Sequence, residues 1–71
     1  MENTLYFEHE HFGRCRIIGF FENIVMIEVS NNYEKYVVAT HFSTKTKRWY
    51  NGQYFRSYEE AFLLYRSLLN Q

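Results

Sequence analysis

Hydrophobic and polar positions along this chain follow two periods, one after the other. Up to Phe55 the apolar residues come in short β-branched and aromatic runs separated by polar turn residues, and from Ser57 onward they recur with helical spacing. Thr4–His9 holds Leu5, Tyr6 and Phe7 in a short run that reads as an edge strand or a frayed arm. Gly13–Phe21 reads as a strand, with Arg14 and Arg16 on one face and Cys15 and Ile17 on the other. Glu22-Asn23 is the turn into Ile24–Val29, the segment richest in β-branched residues. Glu28 marks a wet face there, so Val25, Ile27 and Val29 are expected to point inward. Ile24 and Met26 would then share the outer face with Glu28, a hint of a partner surface.

Ser30-Asn31-Asn32 reads as a turn, because Asn tolerates the left-handed conformation a hairpin requires. Tyr33–Phe42 is the next strand, Ser43–Lys47 a polar basic loop and Arg48–Phe55 the last strand. Asn51-Gly52 inside it fits a bulge or a tight turn. The bulge is favoured, since too few residues follow to pair usefully after a turn. Ser57-Tyr58-Glu59-Glu60 has the form of a capping box, with its two glutamates suited to the helix dipole. Tyr58, Ala61, Phe62, Tyr65, Leu68 and Leu69 then form one stripe centred on Phe62, with Leu64 at its edge. Leu63 points nearly opposite and is a candidate for self-association into a homodimer. The pattern predicts an α+β fold, one domain over residues 1–71. Its antiparallel sheet would have three to five strands in sequential order, with the C-terminal helix packed on one face.

Composition changes this picture in two ways. A chain of 71 residues with one cysteine has no disulfide to lean on, so seven Phe, seven Tyr and one Trp must supply most of its buried area. Tyrosines also suit half-wet rims and binding faces. The charges cancel, with eight Lys/Arg against eight Glu and no Asp. That argues against an acidic nucleic-acid mimic and against a generic DNA-coating protein. The lone Cys15, the lack of an apolar run near the roughly 20 residues of a membrane span, and an N-terminus without signal-peptide regions lead to the expectation of a cytoplasmic location and no membrane partner.

Candidate chemistry is sparse. His9-Glu10-His11, with His41 and Cys15 as further donors, has spacing that permits a metal, but a polar edge strand explains it better, and no metal or other cofactor is expected. Cys15 between two arginines is more economically a small core residue than a nucleophile. Glu59-Glu60 is explained by the helix start, and no catalytic residues are assigned. The features suited to binding are Arg14 and Arg16, and the run Lys45, Lys47, Arg48, Trp49 and Tyr50. There cations alternate with rings, as nucleic-acid contacts and protein hot spots both require.

From Arg48 to Tyr65 the order Trp49, Gly52, an aromatic, the cap Ser57, Glu59-Glu60-Ala61 and then a further aromatic resembles the ethylene-response-factor type of DNA-binding domain and the related integrase arm-binding domains. Trp49 and Gly52 stand one residue further apart than in that pattern. The resemblance implies three antiparallel strands on a C-terminal helix. It also implies DNA read by the exposed sheet face through Arg14, Arg16, Arg48 and Trp49. The cadence Tyr36-Val-Val-Ala39, Gly52-Gln-Tyr-Phe55, Glu59-Glu-Ala-Phe62 is similar to small orphan proteins of phages and conjugative elements, some of them anti-CRISPR inhibitors. That resemblance implies docking on a larger protein without chemistry. The preferred expectation is therefore a non-enzymatic interaction protein with a protein partner, and the alternative is a small nucleic-acid-binding module. Either would use the sheet face away from the helix, with the Lys45–Tyr50 hairpin at its edge.

Overall fold

The computed structural model describes residues 6–71. Thr4 and Leu5, expected in the first strand, lie outside the described residues. Five strands follow one another as β1 (Tyr6–His9), β2 (Gly13–Phe21), β3 (Ile24–Val29), β4 (Tyr36–Ser43) and β5 (Arg48–Phe55), and the helix α1 (Tyr58–Leu69) closes the chain. The strands form one sheet in the order β1-β2-β3-β4-β5, each antiparallel to its neighbour. This is the expected α+β architecture, with all five strands present.

Local chemistry sets the boundaries. Glu22 takes a left-handed φ of 56° in the turn joining β2 to β3. The fourth strand begins at Tyr36, not Tyr33, because the preceding residues are held in a wide loop. Val29 N donates to Lys35 O at 2.8 Å, Asn32 Nδ2 to Glu34 O at 2.9 Å and Lys35 Nζ to Ser30 O at 3.0 Å. Such side-chain-to-backbone bonds compete with the sheet ladder for the same groups. The bulge at Asn51-Gly52 is present: Thr40 pairs with Tyr50 and Val38 with Gln53, so β5 carries one residue more than β4, and Asn51 has φ 56°. Two further irregularities fall at Ile18 in β2 and beside His41 in β4, where φ is 58°. Each bulge adds local bend and twist.

That bending decides where the core lies. Val25 to Ile27 and Val37 to Ala39 are buried continuously, so the central strands are covered on both faces. Cys15, Val25, Ile27, Val29, Val37, Ala39 and Phe42 form the cluster on the inner face, away from the helix. The sheet curls over this cluster: Phe7 reaches Phe42 (ring centroids 6.3 Å), His9 reaches Trp49 (5.2 Å) and Phe12 reaches both Trp49 (5.5 Å) and Tyr54 (5.8 Å). The first and last strands thus meet through aromatic side chains. On the outer face Met26 and Val38 pack against Ala61 and Tyr65 of α1, flanked by Ile18, Ile24, Phe55, Leu64 and Leu68.

Three expectations are corrected here. Met26 and Ile24 are not an open surface beside Glu28 but the floor under the helix. The face away from the helix, expected to bind a partner, is the inner core, closed by curling of the sheet. The helix stripe is centred on Ala61 and Tyr65, and Phe62 remains 37% exposed on its flank, stacked on Tyr58. Tyr65 of the helix meets β2 at Gly19, where a Cβ would come within 2.7–2.9 Å of the ring and hydroxyl, so glycine is needed for that close approach. Ser57 caps α1, its Oγ accepting from Glu60 N at 3.4 Å.

Candidate interaction surface

A helix of 12 residues spans only about 18 Å, and α1 covers only part of the outer face. Beyond it, cross-strand register lines up Tyr6, Arg16, Glu28 and Tyr36 on four successive strands. At about 4.8 Å per strand this row is roughly 14 Å long. Tyr36 meets Tyr58 of the helix edge-on at 5.7 Å, and Tyr58 stacks on Phe62 at 5.9 Å, so the row continues onto α1. Arginines lie against three of the exposed rings: Arg14 over Tyr6 at 5.0 Å, Arg56 over Tyr33 at 5.1 Å and Arg66 over Phe62 at 5.9 Å. Arg56 also donates to the Tyr33 hydroxyl. Each guanidinium shields one ring face and holds its orientation.

Within the row Arg16 is committed to Glu28. Its Nε and Nη2 both donate to Glu28 Oε1, at 3.0 and 2.8 Å, and this bond raises the Arg16 pKa further above its ordinary value. Beside the pair is a depression of about 490 Å³, lined by Tyr6, Arg14, Arg16, Glu28, Ser30 and Lys35.

The sequence-predicted binding residues do not form one site. Arg14 and Arg16 belong to the outer face just described. Lys45, Lys47, Arg48 and Tyr50 sit around the turn between β4 and β5. Tyr50 is 66% exposed, but Trp49 is packed into the seam against His9 and Phe12, with its Nε1 donating to Tyr54 Oη at 3.2 Å. Lys47 and Arg48 share a second depression, of about 360 Å³, with Glu8 and Glu10, so their charge is offset locally. Leu63 is 64% exposed, as its position opposite the stripe implies. Tyr6, Lys35, Tyr36, Tyr58 and Phe62 were not singled out for binding.

Of the candidate metal donors, only His9 and His11 are neighbours, with ring centroids 5.8 Å apart. His9 Nδ1 accepts from the backbone N–H of His11 at 3.0 Å and of Phe12 at 3.3 Å, Cys15 lies in the inner core, and His41 Nδ1 bonds Thr40 Oγ1 at 2.9 Å. Among the described residues no group of three His, Cys, Asp or Glu comes together to hold an ion. Burial, with a smaller contribution from Glu8, pushes the Cys15 thiol up to about 11. Native protein at pH 8 is therefore expected to react with an alkylating reagent only as fast as it opens, and many-fold slower than in urea. Equal rates in the two conditions would place the thiol at the surface.

His9 acts as a structural acceptor. Partial burial, then the neighbouring His11 and Arg48, lower its pKa from 6.5, with Glu10 opposing. Protonation at Nδ1 would set a donor against two N–H groups that now donate to it. A depressed histidine pKa means that its contribution is complete above the unfolded value and is lost as pH falls through the folded one. Wild type should therefore lose more stability between pH 7.5 and 5 than His9→Asn, whose side-chain carbonyl accepts the same bonds without titrating. Parallel pH–Tm curves for the two proteins would remove His9 from this role.

No helix among the described residues is long and apolar enough to cross a membrane. Comparison with known proteins returns no matching family model, no matching curated protein and no matching solved structure.

Proposed function

We propose that this chain is a non-enzymatic interaction protein that docks on a protein partner through the outer sheet face and the adjoining flank of α1. The observation that supports it is the row Tyr6–Arg16–Glu28–Tyr36 continuing to Tyr58 and Phe62, with guanidinium groups holding exposed rings in place. Tyr and Arg are the side chains that most often dominate protein interfaces, and rigid rings lose little entropy on binding. The similarity to small phage and conjugative-element proteins makes inhibition by docking, as in anti-CRISPR proteins, the working form of this proposal.

A nucleic-acid-binding module is the second reading, favoured by Lys45, Arg48 and the well-exposed Tyr50 on one turn. Glu8 and Glu10 beside that turn and the packing of Trp49 into the seam count against it. The two readings separate in a titration with duplex and single-stranded oligonucleotides at several salt concentrations. Docking on protein leaves only nonspecific affinity, roughly 10⁻⁴–10⁻⁶ M at physiological salt. A sequence-selective nanomolar complex, with a salt slope reduced by replacing Lys45, Lys47 and Arg48 with Ala, would promote the second reading.

A further inference from the structure

We infer that the depression on the uncovered outer face takes an acidic, extended segment of a protein partner, its carboxylates held by Arg14 and Lys35. This deepens the docking proposal and rests on it. Among the described residues, Arg14, Arg16, Lys35 and one carboxylate, Glu28, line the depression, and Glu8 stands opposite Arg14 in the register, which leaves three cations against two carboxylates. That is a local excess of positive charge in a chain whose formal net charge is zero. Glu28 is bonded to Arg16 and so fixes that guanidinium as one wall.

The other two cations are positioned but not used up. Arg14 lies over the Tyr6 ring, its Cζ 5.0 Å from the centroid, and among the described residues it makes no ion pair, so its N–H groups can meet a carboxylate. Its backbone is anchored as well, Arg14 N donating to Ser30 Oγ at 2.9 Å. Among the described residues Lys35 Nζ donates once, to Ser30 O at 3.0 Å, and an ammonium has three donors. Both heads are thus held at the rim before anything binds, which lowers the cost of binding. Tyr6 beside the cations, and Tyr36 and Tyr58 beyond Glu28, supply rings for apolar side chains between the acidic ones.

A nucleic-acid strand fits this place less well. Its phosphates need a continuous cationic track, whereas Glu28 interrupts the row and Lys47 and Arg48 border a different depression that also contains Glu8 and Glu10.

The test is an amide-resolved NMR titration of the whole chain with a short peptide alternating Glu and Phe, and with its Gln/Phe counterpart. The expected result is saturable shifts centred on Tyr6, Arg14, Arg16, Ser30 and Lys35. Binding should be about tenfold weaker for the Gln peptide and about tenfold weaker in Arg14→Gln or Lys35→Gln. Lys45→Gln should match wild type. The inference is overturned by an absence of saturable shifts or by equal binding of the two peptides. Shifts centred on residues 45–50, or displacement of the peptide by an equal concentration of single-stranded oligonucleotide, would overturn it too. A protein partner cross-linked at the outer face whose capture survives both Gln substitutions would retain the docking proposal and remove its acidic chemistry. Peptide binding as described, with no protein cross-linked at that face, would do the reverse.

Discussion

Replacing Tyr65 with Ala is expected to cost about 3–5 kcal/mol, the range for truncating a large buried ring. A chain of 71 residues has roughly 4–10 kcal/mol to lose, so this variant should lose a large fraction of its stability. Tyr65 is only 8% exposed and joins α1 to Met26 and Val38. Phe62→Ala should cost much less, about 1–2 kcal/mol, because that ring is 37% exposed and rests mainly on Tyr58. Chemical denaturation of the two variants checks the ranking, and the reverse order would mean that the helix lies on the sheet by its other flank. Gly19 supplies an independent check. Gly19→Ala pushes a methyl against the Tyr65 ring and should cost about 1–3 kcal/mol. In the Tyr65→Leu background that penalty should shrink, since residues in direct contact couple.

The second large effect is expected at Trp49. Its indole meets His9, Phe12 and Phe42 and donates to Tyr54, so it pins the curl that brings β5 against β1. Trp49→Ala should cost about 3 kcal/mol, the low end for such truncations because the ring is only half-buried. It should also raise hydrogen exchange in the β1 and β2 amides while α1 stays protected. Loss of protection confined to residues 45–50 would show that the indole is a surface anchor, and would restore the binding role implied by its place beside Lys47 and Arg48.

The strand order and helix were legible because periodicity and turn chemistry agreed at each boundary, from Glu22-Asn23 to the Ser57 cap. The faces were not, and the reasons are physical. An unbroken ladder from the pair Phe21–Ile24 would set Arg16 opposite Val29, but the irregularity at Ile18 shifts its partner to Glu28. The ion pair at the centre of the outer face is therefore invisible to simple register counting. Alternation about Glu28 points Met26 outward, yet Val25 to Ile27 are buried continuously, because a strand covered on both sides and one covered on a single side differ by only one or two residue types. The curl, which turns the expected binding face into core, depends on bulges and on contacts between rings as far apart in sequence as His9 and Trp49. Among the binding candidates Arg14 and Arg16 fall on an open face, whereas sequence neighbourhood groups Trp49 with Lys45–Tyr50 although strand alternation turns it inward.

Docking of a protein on the outer face and the flank of α1 is tested in cells of the native host with an aromatic photo-crosslinking residue at Phe62, 37% exposed and stacked on Tyr58, and at Tyr50 for comparison. A discrete nuclease-resistant protein adduct is expected from Phe62 and lost in Tyr58→Ala, whose fold is checked by circular dichroism. An adduct of twice the chain mass would identify the partner as a second copy. Absence of a protein adduct from Phe62, with a nuclease-sensitive adduct from Tyr50 in its place, would show that this face does not bind protein.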